Sequence, residues 1–245
     1  MKATRFALVA ILLAWAPIAS AQTVDEVIEK SITAMGGRAA MEKIKTRSMT
    51  GTLALSTPAG DIPGTVEVQN AAPNKMRLVI KADLSAFGAG QLLVDQRFDG
   101  TSGYMINSMQ GDQPITGGQL ESMKANSFPH LFLDYRAKGV KATLAGKEKV
   151  ADRDAFVVVF EPSTGSPIRQ FIDAESFLPV RSVAKITTPQ TGELEQTADV
   201  SDFRDVDGVK VPFSLRLTSS MQSVSMTFTK CENNVAIDDK VFVKP

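Results

Sequence analysis

Among the 245 residues there is one histidine, His130, and one cysteine, Cys231, so side chains suited to conventional catalysis are few. Ser-His-Asp hydrolysis would use His130 as the base, and Asp134, four residues on, could orient it from a helix. No serine occupies a Gly-x-Ser-x-Gly elbow, and a histidine within the aromatic stretch at residues 128–135 reads as a packed side chain. Cys231 lies in the alternating run Met226-Thr-Phe-Thr-Lys-Cys-Glu232 and reads as a strand residue rather than a reactive thiol. A zinc site needs several His or Cys ligands. The acidic clusters Asp199/Asp202/Asp205/Asp207 and Asp238/Asp239 lack EF-hand spacing, and residues 202–208 read as a hairpin turn. Glycosidase-type carboxylate pairs come from distant strands, and nothing singles one out. Gly88-Ala-Gly90 is a loop rather than a phosphate cradle. The residue types therefore indicate no catalytic set, no metal site and no cofactor, and a functional surface has to come from the elements.

Val24, Val27, Ile28, Ile32 and Met35 recur at helical spacing, with Asp25, Glu26 and Glu29 in the early turns. Gly36-Gly37 ends this helix, and residues 38–44 form a second short helical piece. From Lys45 the period changes to two. Met49, Gly51, Leu53 and Leu55 alternate with polar or small residues, as do Ile62, Gly64, Val66 and Val68, then Met76, Leu78 and Ile80. Three antiparallel strands with one apolar face each follow from this. Residues 92–107 read as two strands split at Asp99-Gly100-Thr101. Thr116 is placed to cap a short helix running through Lys124. Residues 126–136 are irregular and aromatic. Strands resume at 141–150, 155–161, 168–173, 180–187, 193–202, 209–218 and 223–232. Without repeats or linkers, the expected architecture is mainly β with short helices: one antiparallel sheet of roughly 11–12 strands, which curls into an unclosed half barrel. The helical pieces would cover its apolar concave face, since an exposed face of that size aggregates.

The N-terminus resembles an export signal. Lys2 and Arg5 precede an apolar run over residues 6–16, Pro17 breaks it, and Ala19-Ser20-Ala21 is a small-x-small cleavage site. The run is too short to span a bilayer, and no cysteine follows the cleavage site for lipidation. The expected domains are a cleaved signal peptide, residues 1–21, and a single unclosed-barrel domain, residues 22–245, located in the periplasm. Without the leader's two cations, 25 basic side chains face 27 acidic ones. That balance argues against nucleic acid, which calls for a clustered basic face. With one cysteine there is no intramolecular disulfide, and the domain relies on its core.

Five segments carry a family resemblance: Ala34-Met-Gly-Gly37, Phe98-Asp-Gly100, Ile172-Asp-Ala-Glu-Ser-Phe-Leu-Pro-Val180, Asp202-Phe-Arg-Asp-Val-Asp-Gly-Val-Lys-Val-Pro-Phe213 and Ile237-Asp-Asp-Lys-Val-Phe242. Together they resemble the LolA/LolB-like superfamily of periplasmic lipoprotein carriers, in particular outer membrane lipoprotein-sorting proteins. These motifs are structural punctuation: Asp207-Gly208 supplies a tight turn, and Pro179 and Pro212 limit ladder bonding near strand starts. The resemblance implies an unclosed β-barrel with a helical lid over a cavity for acyl chains. It transfers no latch residues; Arg47, beside the first strand, is by type either a latch or a solvated strand-end arginine.

The resulting expectation is a non-catalytic periplasmic protein that carries or chaperones a lipid or lipoprotein. Alternation places Met49, Leu53, Val66, Val68, Met76, Leu78 and Ile80 on the concave face, and Phe128, Leu131 and Phe132 in the lid or mouth. One residue of slip would invert the face. A sixteen-carbon chain moved into such a cavity gains on the order of 12 kcal/mol gross, and methionines suit an adaptable lining. The expected partners are lipid acyl chains or a lipoprotein, with membrane donor and acceptor proteins; a monomer is expected. The alternative is a periplasmic sensor or protein-interaction module of the RseB-like type.

Overall fold

The structure is a computed structural model that describes residues 22–58, 60–188 and 192–245. The export signal lies outside the described residues. Helix α1 (Val24–Ala34) starts with a capping box, in which Thr23 Oγ1 accepts the Glu26 N–H while the Glu26 carboxylate accepts the Thr23 N–H. Its inward stripe, Val27, Ile28, Ser31 and Ile32, is buried. At its end the Gly37 N–H donates to Ile32 O and the Gly36 N–H to Thr33 O, a Schellman pair. Helix α2 (Arg38–Glu42) follows and buries Met41.

Strands β1 (Thr46–Thr57), β2 (Gly60–Ala71), β3 (Lys75–Asp83), β4 (Gln91–Phe98), β5 (Gly103–Asn107) and β6 (Gln113–Ile115) form one arm of the sheet. Helix α3 (Gly117–Ala125) and an aromatic covering loop, residues 126–136, cross to the other arm. That arm contains β7 (Lys141–Val150), β8 (Arg153–Glu161), β9 (Ile168–Asp173), β10 (Pro179–Thr188), β11 (Gly192–Val206), β12 (Val209–Ser219) and β13 (Ser223–Asn233). The single sheet of 13 strands runs β6-β5-β4-β3-β2-β1-β13-β12-β11-β10-β9-β8-β7. All its pairings are antiparallel, and β6 and β7 are its two edges, so the sheet does not close. The additional strand relative to the sequence expectation is β6, whose three residues are too few to show a period.

β1 and β13 join the arms. Phe228 faces Gly51, and the register then skips so that Cys231 faces Met49. This bulge restores Cys231 to the same face as Met226 and Phe228. Gly51 is required there, because a Cβ would lie 2.2 Å from Thr227 O. Two further expectations change. Thr116 occupies the N-cap position of α3, yet its side chain makes no capping bond. The hairpin turn is Asp207-Gly208 alone, with φ values of 55° and 78°. Asp202 instead lies within β11 with a left-handed φ of 53°, and the register runs unbroken past it from Ser201–Ser214 to Phe203–Pro212.

One core cluster joins α1, α2, the concave face and the covering loop, including Val27, Ile32, Met41, Phe132, Phe156 and Phe160. A smaller one (Phe98, Ile115, Met123) lies between α3 and the β4–β6 edge. On the opposite face of β3 and β4, buried Asp95 binds Arg77 at 2.8 Å and Arg97 at 2.8 Å. Arg97 also donates to Val243 O, which fastens the C-terminal segment where Phe242 is buried.

Candidate functional site

On the concave face, alternation brings Met49, Leu53 and Val66 into the main core as buried side chains. Val68, Leu78 and Ile80 pack half-buried against the same cluster. Met76, expected among them, belongs to the α3 cluster instead, because its cross-strand partner is Phe98. Phe132 in the covering loop is buried, its ring 5.5 Å from Phe160, while Phe128 and Leu131 flank it half-buried.

The covering loop is tied down from both sides. Tyr135 Oη donates to Asp25 of α1, Arg136 pairs with the same carboxylate, and Arg38 Nη1 donates to Leu133 O at 3.2 Å. From the β2–β3 turn, Pro73 O accepts the Phe128 N–H at 2.7 Å. Helix α3 reaches β10 on the opposite arm, and its Glu121 accepts from Thr164 Oγ1 at 2.9 Å. Loop and helix thus form a strap between the arms.

Beneath the strap are two cavities. One, about 260 Å³, is lined by Arg47, Met49, Met76, Phe98, Met123 and Phe128 among others. The other, about 250 Å³, is lined by Met35, Met41, Arg47, Pro129, His130 and Val209 among others. Arg47 and Pro129 line both cavities and so mark the partition between them. A larger hollow of about 410 Å³ lies between α1 and the covering loop, with Asp25, Glu29, Arg38 and Arg136 among its lining residues.

Arg47 is not a solvated strand-end residue. Its side chain is 9% exposed; Nε donates to Asn233 Oδ1 at 2.8 Å, and the guanidinium lies 5.5 Å from the centre of the Phe128 ring. Burial lowers its pKa, although the guanidinium stays charged. His130 Nδ1 accepts the Phe132 N–H at 3.3 Å. Burial, and then the charge of Arg47, push the imidazole down to about 4, so it is neutral at pH 7. Asp134 is hydrogen-bonded to Ser127 and does not orient His130. Cys231 is half-buried, and burial raises its pKa, which makes it a weak nucleophile. Among the described residues, no group of three or more His, Cys, Asp or Glu is placed to hold a metal ion. The sequence left the setting of Arg47 open and did not mark Met35, Met41, Met123 or His130 as cavity residues. Signals for these were weak, because helices and a loop bring them to the face from outside the alternating runs.

Solved structures share this arrangement over nearly the whole chain. A LolA superfamily protein from Nitrosomonas europaea superposes with a TM-score of 0.55 at 14% identity, covering 91% of this chain and 99% of that one. The fold is LolA-like. A putative outer membrane lipoprotein-sorting protein domain from Vibrio parahaemolyticus gives a TM-score of 0.55 at 10% identity, over 89% and 95% of the two chains. A DUF1329 family protein from Desulfovibrio piger ATCC 29098 gives 0.57 at 11% identity, over 91% and 98%. No family model matches the sequence, and no curated protein matches it. No helix among the described residues is long and apolar enough to cross a membrane.

Proposed function

We propose that this protein is an exported, periplasmic, non-catalytic carrier or chaperone that shelters the acyl chain of a lipid or lipoprotein between the sheet and its strap. The observation that carries this reading is the pair of cavities under the strap, into which five methionines project their share of the lining: Met35, Met41, Met49, Met76 and Met123. Unbranched thioether side chains adapt to a variable chain. Neither cavity alone reaches the roughly 300 Å³ at which ligand pockets begin. Displacing the Phe128-Pro129-His130 segment would join the two and pass that size. A closed strap also keeps the apolar face from water when no cargo is held.

Loading would follow from burial of methylenes, each contributing about 0.8 kcal/mol, with no reacting group involved. The cargo-contacting residues under this reading are Met49, Leu53, Val66, Val68, Met76, Leu78 and Ile80 on the sheet, with Phe128, Leu131 and Phe132 on the strap. Membrane donor and acceptor proteins would deliver and receive the cargo. The test is native mass spectrometry of the protein isolated from cell envelopes, followed by denaturation. A discrete added mass that resolves into a lipid or acylated peptide is expected. A clean apo mass after incubation with envelope lipids, together with recovery of one stoichiometric protein partner, would replace the carrier reading with a protein-sensing one.

A further inference from the structure

One buried cation stands where the two cavities meet. Arg47 has nine-tenths of its side chain buried at the partition between the two cavities. Asn233 takes its Nε–H, and the Phe128 ring covers the guanidinium. Its Nη2 is buried with no hydrogen-bond partner among the described residues. No carboxylate lines either cavity. Of the other cations along the walls, Lys75 pairs with Asp239 and Arg181 with Asp199, while Lys210 is only half-buried. A buried guanidinium left without an anion is strongly destabilising, whereas its planar fork is well matched to an oxyanion.

We propose that Arg47 is the headgroup site of the cavity, its Nη2 taking the oxyanion of a single-chain anionic amphiphile, a carboxylate or phosphate monoester, whose chain lies along Met49, Met76 and Met123. The proposal rests on the carrier reading and adds the chemical class of the cargo. It also explains why the partition holds a cation rather than an aliphatic side chain. The chain enters the Met-lined cavity, the head stops at Arg47, and the Phe128-Pro129-His130 segment closes over the head.

His130 supplies the readout, because it is the only histidine in the chain and it lines the cavity on the far side of Arg47. Its imidazole is held down to about 4 by burial and by the positive charge of Arg47. An oxyanion on Arg47 cancels that charge and raises the imidazole pKa, whereas an uncharged head leaves it where it is.

The experiment uses the exported protein and four probes below their micellar concentrations: palmitate, hexadecyl phosphate, hexadecanol and inorganic phosphate. Binding is followed by calorimetry, and His130 by its nitrogen resonances across a pH titration. The two charged chains should bind at least ten-fold tighter than hexadecanol and raise the His130 pKa. Arg47→Met should bring the charged chains down to the level of hexadecanol. Equal affinity of wild type for palmitate and hexadecanol, with an unmoved His130, would overturn the headgroup site while leaving a carrier of chains. Inorganic phosphate binding as tightly as hexadecyl phosphate would also overturn it, since the chain would then contribute nothing. Failure of every chain to bind would remove the carrier reading itself. The wild-type comparison decides even if Arg47→Met does not fold.

Discussion

Asp95 and His130 are two side chains whose charge state the fold controls, in opposite ways. Burial alone would raise the Asp95 carboxyl, but hydrogen bonds from Arg77 and Arg97 outweigh it and hold the group below the ordinary carboxylate range. Removing Asp95 leaves Arg97, 12% exposed, without its anion. Asp95→Ala should therefore cost about 3 kcal/mol, measured by urea unfolding, and should loosen the C-terminal segment that Arg97 holds at Val243. His130 is kept neutral by burial. The unfolded chain takes up its histidine proton near pH 6.5, the folded protein only near 4. Between those values the unfolded state binds more protons, so stability falls as the pH drops from 6.5 to 4 and this contribution is flat below. The loss is about 3 kcal/mol over that interval. His130→Gln should remove the interval's slope from a plot of unfolding free energy against pH. An unchanged slope would show that the imidazole protonates freely in the fold. Asp95 and Asp173 add acid sensitivity of their own, and their depressed pKa values place that loss at lower pH.

At the scale of elements, the short motifs in the sequence turn out to be the fastenings between strands. Asp99 Oδ1 accepts the N–H groups of Thr101 and Ser102, shaping the β4–β5 turn above buried Phe98. Asp173 Oδ1 accepts from Glu175 N, Ser176 N and Ser176 Oγ, and from Arg153, fixing the β9–β10 turn. Asp238 caps the final turn, which buries Phe242. Two motifs far apart in sequence meet: Met35 O accepts the Lys210 N–H at 2.9 Å, and a Cβ on Gly36 would lie 2.1 Å from Gly208 O. Gly36 also has φ of 118°. Gly36→Ala should cost on the order of 2–3 kcal/mol and separate α1 from the β11–β12 turn, detectable as faster amide exchange at Lys210. Such local devices are legible in a sequence because an Asx turn or a helix-ending glycine works within a few residues. The strand alternation was legible for the same reason, since a half-buried sheet writes its period directly. What the sequence did not carry is what depends on the partner strand: the bulge beside Cys231, the three-residue edge β6, and the allegiance of Met76 to α3. The burial of Arg47 was hidden as well, because the side chain is enclosed by a loop some eighty residues further along the chain.

For the molecule as a whole, an open sheet of this width needs its concave face covered, and the cover is attached in a way that suits movement. The strap packs the sheet with Phe132 and Tyr135 around Phe160, but its fastenings to α1 are exposed charge pairs such as Arg136–Asp25. Exposed pairs contribute only about 0–1 kcal/mol each, so most of the closing free energy comes from apolar contact between strap and sheet. Cargo offers the same kind of contact, which lets a chain exchange places with the strap at little net change in burial. A charge on the sheet should act on cargo and on strap alike. Leu78 is half-buried at the margin of the core, where a carboxylate retains some access to water. Leu78→Asp should therefore leave a folded protein, verified by its circular dichroism, while abolishing co-purification of acylated cargo, because the carboxylate would have to be desolvated against the chain. Phe132→Ala provides the counterpart on the strap. It should lower stability by about 3–5 kcal/mol and speed the release of a bound chain in a stopped-flow chase. Retained loading in folded Leu78→Asp would place the cargo elsewhere than this face. Loss of loading with an unaltered release rate in Phe132→Ala would mean that the chain lies on the sheet without the strap gating it.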